Sequence, residues 1–281
     1  MKKTLILFSP LENVLVDPRT FQWEDAREIL DWAYLNRIPW VVWSRWPLQE
    51  VIYFRGQLGL TDPFIAESAG ALYIPFGYFD VGIDAIEKEG HEVIENGLNA
   101  DYLREFFEEF RRTNHLPIRF ADEFSLQEFS EVAGIPSYLA GFYQNARYLL
   151  AFYMNPYEAG KWVKKLKTRA LRKNILVRKK GSIYIATGRN DPRTLVAKLE
   201  NLFKKNLLAS PKIMAIGADP LDQPFLEDAD RVFLFKNRGV LAENLVPQNG
   251  VPTVIDSVNP ERWKAIVRLL EAEYEDGKDG S

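Results

Sequence analysis

Two runs near the start of the chain are apolar with almost no polar interruption: Lys3–Phe8, after its opening lysine, and Trp40-Val41-Val42-Trp43. Runs of that length predict strands covered on both faces, as in a parallel sheet. Between them, Ala26, Ile29, Leu30 and Ala33 recur at helical spacing, which predicts a helix over Trp23–Leu35 ending near Arg37-Ile38-Pro39. Ser44 closes the second strand. Leu48–Leu58 reads as the next helix, and Phe64-Ile65-Ala66 and Ala71-Leu72-Tyr73-Ile74 as further strands. Strands alternating with helices predict a doubly wound α/β core.

The rhythm changes around Tyr78. From there to about Gly188 the pattern predicts helices over Ala100–Arg112, Ser125–Ala133 and Lys161–Arg172 and a strand over Arg147–Met154. A hairpin follows, Ile175–Arg178 and Ser182–Ala186, turning at Lys179-Lys180-Gly181. The alternation then resumes: helix Thr194–Lys205, strands Lys212–Ile216, Arg231–Phe235 and Thr253–Ile255, and a last helix, Pro260–Glu273. The expected organisation is a core built from residues 1–79 and 189–281, with an α+β domain, residues 80–188, inserted between its halves. The polar tail Glu275–Ser281 is expected to fray.

Composition narrows the function classes. At 281 residues the chain suits one large domain or two smaller ones. Its 47% hydrophobic and 27% charged residues are ordinary for a soluble globular protein. No apolar run reaches the roughly 18 residues of a membrane span. The opening Met-Lys-Lys-Thr-Leu-Ile-Leu-Phe resembles the start of a secretory signal, but the apolar run stops at Ser9-Pro10 and no small-residue cleavage site follows. It reads as the first core strand, and a cytoplasmic protein is expected. With no cysteine there is no disulfide or thiolate chemistry, and with His91 and His115 alone a histidine metal cage is nearly excluded. A net charge of −3 speaks against nucleic acid as partner.

Several segments carry a resemblance. They are Asp17–Ala26, Leu58–Glu67, Gly70–Phe79, Ser125–Pro136 and Asn259-Pro260-Glu261-Arg262-Trp263. In them the chain resembles the mannosyl-3-phosphoglycerate phosphatase family, within the haloacid-dehalogenase superfamily of the α/β-cap type. The resemblance implies a HAD-like core with a cap, and a chemistry in which an aspartate attacks phosphorus and a second aspartate, two residues on, shuttles a proton. It also implies Mg²⁺ to neutralise the developing charge. Aligned on Leu15, the first aspartate corresponds to Pro10 and the second to Glu12. The phosphate-holding serine is kept as Ser44, while the lysine position falls at Pro192. Of the magnesium loop, Gly217-Ala218-Asp219-Pro220-Leu221-Asp222 keeps the final aspartate, Asp222. In the cap, the arginine and glutamate expected to meet the sugar correspond to Ala146 and Leu150, and in the core Ser68 and Ala69 stand for Asn and Gly.

Ser9 is a conceivable nucleophile, but no histidine lies near it in sequence and the glycines of a nucleophile elbow are absent, so it reads as a strand terminator. Glu12, Asp219 and Asp222 either gather a hard cation or serve as turn caps and a solvated acid. Arg45 and Arg193 are candidates to clasp an anion. Lys161–Lys180 holds ten basic residues and no acid, a solvated face or a dock for an acidic partner. Trp40 and Trp43 are expected in the core, with Trp46 plugging the pocket. The combined expectation is a pseudo-phosphatase acting through a protein partner or small anionic ligand, with residual crevice candidates Glu12, Ser44, Arg45, Asp219 and Asp222. No catalytic residue, cofactor, nucleic acid or membrane is expected. The alternative is a Mg²⁺-dependent phosphatase of mannosyl-3-phosphoglycerate or a related sugar phosphate with an altered site; Glu12 and Asp222 would be its weak metal candidates.

Overall fold

The computed structural model describes residues 5–236, 251–256 and 261–276. Asn259, Pro260 and the tail beyond 276, all named above, lie outside the described residues. The chain opens with β1 (Leu5–Pro10), α1 (Arg27–Leu35), β2 (Trp40–Trp43), α2 (Leu48–Leu58), β3 (Phe64–Ala66) and β4 (Ala71–Pro75). The middle holds β5 (Ile86–Lys88), β6 (His91–Glu95), α3 (Ala100–Asn114), β7 (Ile118–Phe120), α4 (Leu126–Ala133) and α5 (Ser137–Gln144). It continues with β8 (Leu149–Met154), α6 (Pro156–Leu171), β9 (Ile175–Lys180) and β10 (Ile183–Gly188). The chain closes with α7 (Pro192–Leu207), β11 (Lys212–Gly217), α8 (Gln223–Leu226), β12 (Arg231–Phe235), β13 (Thr253–Ile255) and α9 (Glu261–Asp276).

Among the described residues the larger sheet has nine strands in the order β13-β12-β11-β1-β2-β3-β4-β6-β5. From β13 to β3 the strands are parallel; β4, β6 and β5 join antiparallel. The all-apolar runs are explained by cover on both faces. Leu5 and Leu7 pack with Trp40 and Val42 on one face, while Ile6 and Phe8 pack with Val41, Trp43 and the apolar stripe of α7 on the other. Trp40 and Trp43 are in the core, as expected.

The smaller sheet, β7-β8-β10-β9, is antiparallel throughout. Its two central strands are covered on both faces, and alternate residues go to different clusters. Leu150, Phe152, Tyr184 and Ala186 point to a separate core with Leu103, Phe107 and Phe110 of α3. Leu149, Ala151 and Ile183 point the other way, toward the main sheet's domain. Asn99 caps α3 by accepting from Tyr102 N, and Ser125 and Glu128 form a capping box on α4.

The expected boundary at residue 80 needs correction. β5 and β6 lie inside the expected insert, yet β6 pairs with β4 and the two strands form the edge of the main sheet. Ile86–Lys88 is exposed at every position, so no burial pattern marks it. The chain crosses to the cap after β6, and it returns after β10. Among the described residues no helix is long and apolar enough to cross a membrane.

Candidate functional site

β1, flanked by β11 and β2, marks where the connections change direction, and ligands of such sheets settle beyond the carboxyl ends of those strands. Three segments leave the sheet there: Pro10-Leu11-Glu12 from β1, Ser44-Arg45-Trp46 from β2 and Ala218-Asp219 from β11. The cap hairpin β9–β10 faces them. A cavity of about 290 Å³ lies between, reached by Glu12, Arg45 and Asp219 from the core and by Arg178, Lys180 and Thr187 from the cap.

Glu12 is buried. Its Oε1 accepts the backbone N–H of Arg45 at 2.8 Å, while Oε2 is buried without a hydrogen-bond partner. The Arg45 guanidinium pairs with Glu12 at 3.7 Å and with Asp219 at 3.6 Å, and lies 5.7 Å over the ring of Trp43. Although burial opposes its charge, Glu12, Asp219 and Asp222 together hold its pKa above the ordinary arginine value. Trp43 is itself fixed by stacking on Phe225, centroids 4.0 Å apart.

The two loop acids act as turn caps. Asp219 Oδ1 accepts from Leu221 N at 2.8 Å, and Asp222 Oδ2 accepts from the N–H groups of Ala218 and Asp219, each at 2.8 Å. Burial pushes Asp222 up to about 7, against the pull of those amides and of Arg45.

Ser44 ends β2 as expected, but it is fully buried and its Oγ accepts from Trp46 N at 3.0 Å. Ser9 is likewise engaged: its Oγ accepts from Trp40 Nε1 at 2.8 Å. Trp46 is a wall rather than a plug, buried and packed against Phe21 and Phe54 while lining the cavity. Arg193 does not reach the crevice; it is exposed and pairs with Asp191 and Glu227. Leu150 points into the cap's own core, so its side chain is not directed at a ligand in the crevice.

The cap's contribution is not visible in the sequence pattern, where Lys161–Lys180 is one basic run; the fold divides it. Lys161, Lys164 and Lys165 lie on the outer face of α6. Arg178, Lys179 and Lys180 at the end of β9 instead line the crevice, Arg178 and Lys180 from one face of the strand. Burial and the proximity of Arg45 both push the Arg178 pKa down. Lys180 Nζ donates to Tyr143 Oη, and burial lowers its pKa against the opposing pull of Glu50 and Glu12.

Glu67 was also missed as a functional element. Fully buried, its carboxylate accepts from Leu48 N at 2.9 Å in the core and from Arg147 N and Tyr148 N in the cap. It therefore ties the N-terminus of α2 to the start of β8. Glu67, Ser68 and Ala69 all have positive φ (55°, 56° and 60°), and Ser68 lines the crevice.

This arrangement, a mostly parallel sheet with a cap inserted between its halves and a crevice at the switch point, is the fold of the haloacid-dehalogenase superfamily. A haloacid-dehalogenase-like hydrolase from Bacteroides thetaiotaomicron matches with a TM-score of 0.66 at 18% identity, over 95% of this chain and all (100%) of that one. By sequence the chain is mannosyl-3-phosphoglycerate-phosphatase-like. A glucosyl-3-phosphoglycerate/mannosyl-3-phosphoglycerate phosphatase of Persephonella marina is 22% identical over 97% of this chain and 99% of the relative. Its namesake in Methanococcoides burtonii is 25% identical over 82% and 84%. No family model matches the chain.

The resemblance implies Mg²⁺, which needs about six oxygens in near-octahedral array at about 2.1 Å. The residues present do not fit it. A guanidinium is paired with both Glu12 and Asp219, and Asp222 spends one oxygen on two backbone amides, which leaves Glu12 Oε2 and Asp222 Oδ1 as two unpartnered oxygens where about six are needed. Among the described residues, no three acids or histidines come together as a metal-holding group.

Proposed function

We propose that this protein takes a phosphorylated, acidic sugar into the crevice between core and cap. The observation that carries the reading is the charge of that crevice: four basic side chains, Arg45, Arg178, Lys179 and Lys180, line it against two acidic ones, Glu12 and Asp219. Arg45 and Arg178 face each other across it and repel, so a bound anion relieves a like-charge contact. Guanidinium groups suit phosphate and carboxylate through paired N–H donors. The relatives' names, glucosyl-3-phosphoglycerate/mannosyl-3-phosphoglycerate phosphatase, supply the ligand class.

Those names also favour hydrolysis over mere binding, and the first reading is a phosphatase of mannosyl-3-phosphoglycerate or a related sugar phosphate with an altered site. In such a site Glu12 is the group able to take a proton from an attacking water. The residue lines the cavity, and its Oε2, buried and without a hydrogen-bond partner, takes the proton once an entering ligand and water open it. The second reading, a pseudo-phosphatase that binds this ligand or a protein partner without turnover, is favoured by one observation. Pro10 ends β1 two residues before the cavity-lining Glu12, and it has neither a carboxylate to attack phosphorus nor a backbone N–H to hold phosphate.

Release of inorganic phosphate from mannosyl-3-phosphoglycerate and glucosyl-3-phosphoglycerate separates the two. Release that falls by about a hundredfold or more in Glu12→Gln supports the altered phosphatase. Binding by calorimetry with no release supports the pseudo-phosphatase. Absence of both release and binding overturns the crevice reading.

A further inference from the structure

Arg45 stands where three strand ends meet. Its own segment leaves β2, and its two carboxylate partners come from the segments leaving β1 and β11. The backbone is fixed by the Arg45 N–H donated to Glu12, and the guanidinium by both acids and the ring of Trp43. The ion-pair distances of 3.7 and 3.6 Å exceed ordinary hydrogen-bond length. Donors of the five-N–H fork therefore remain for a further acceptor. The side chain is one-fifth exposed, at 20%, and that part lines the cavity.

The guanidinium stands between Glu12 Oε1 and Asp219 Oδ2, and the carboxylate oxygens left there without a partner, Glu12 Oε2 and Asp222 Oδ1, are two where Mg²⁺ needs about six. A guanidinium is permanently charged and needs no loading. Resting on the reading that the crevice receives a phosphorylated anion, we propose that Arg45 is a built-in cation, placed so that the phosphate is bound without a metal. The sugar phosphate then meets Arg45 from the core side and Arg178 and Lys180 from the cap, all three lining the one cavity. The ligand class follows: a compact di- or trianion that spans both sets is favoured over a neutral sugar or a monoanion.

The test is a calorimetric titration with inorganic phosphate and with mannosyl-3-phosphoglycerate, in excess EDTA and again in millimolar Mg²⁺. The expected affinity for each is the same within about twofold in the two conditions, and Arg45→Ala weakens it roughly tenfold or more in EDTA, losing a charge-assisted contact. Arg45→Lys, which keeps the charge but not the fork, falls between. A rise of about tenfold or more on adding Mg²⁺ to the unaltered protein overturns the built-in cation while leaving the crevice as an anion site. Failure of both anions to bind in either condition overturns the crevice reading itself. Since the EDTA-against-Mg²⁺ comparison uses the unaltered protein, it decides the matter even if Arg45→Ala does not fold.

Discussion

Glu50, Tyr143 and Lys180 meet at the join of core and cap, from α2, α5 and the end of β9. Glu50 is fully buried, and burial pushes its pKa from 4.5 up to about 7 although Lys180 and Tyr143 pull it down. The folded protein therefore binds a proton at Glu50 that the unfolded chain has released between about pH 4.5 and 7. Stability falls as pH rises through that window. Asp222, pushed from 3.8 to about 7 by burial, adds a slope of the same sign. Glu50→Gln removes the first contribution. The variant is expected to show a flatter dependence of melting temperature on pH over this window and to gain roughly 1–3 kcal/mol relative to the unaltered protein above neutral pH. Parallel curves for the two proteins would contradict the buried-acid account. None of this was legible in the sequence, where Glu50 is an ordinary first-turn acid of an amphipathic helix. Glu12, Arg45 and Asp219 were legible because each follows a recognisable strand end. The acids' roles as partners of Arg45 and as turn caps depend on side-chain geometry that spacing does not encode.

The elements that set the cap on the core are two short linkers packed on the turn after β3. Gly97 lies against Gly70, where an added Cβ would meet the Gly70 Cα at 2.8 Å, and Asn190 Nδ2 donates to Ser68 O at 3.1 Å. At Gly70 a Cβ would fall 2.4 Å from Tyr148 Cβ, at the start of the first long cap strand. Gly70→Ala must push β8 away from the core and is expected to destabilise by roughly 1–3 kcal/mol in a urea titration. Gly82→Ala, where a Cβ meets nothing within 4 Å, is the control expected to change little. Equal stability of the two variants would contradict a tight join. The alternation of β1, β2, β3 and their helices was readable because each strand is apolar throughout and each helix carries a 3.6-residue stripe. The strands β5, β6 and β7 do not stand out because charged residues break them (Glu87 and Lys88, Glu92 and Glu95, Arg119), whereas the equally short β3 is wholly apolar. In α5, apolar and polar positions mix behind Pro136. The start of α6 was placed too late, although Asn155 as cap with Pro156 in the first turn is a start signal in its own right.

On the scale of the whole molecule, one face of the core and one face of the cap bury apolar clusters of their own, a third cluster runs from core into cap, and the charged crevice lies between the two domains. The sequence divided the chain into core and insert, but it could not place Arg178 and Lys180 opposite Arg45, since that pairing exists only once the hairpin β9–β10 folds over the switch point. The central claim is that this join, and no surface of either domain alone, holds a phosphorylated acidic sugar. Its most direct measurement is a calorimetric titration of mannosyl-3-phosphoglycerate into the unaltered protein and into Arg178→Ala, a change at an exposed cap position outside both apolar cores. The account predicts one site per chain, with affinity roughly tenfold or more lower in the variant and lower in both at high salt. No binding, or the same affinity in Arg178→Ala as in the unaltered protein, would contradict it.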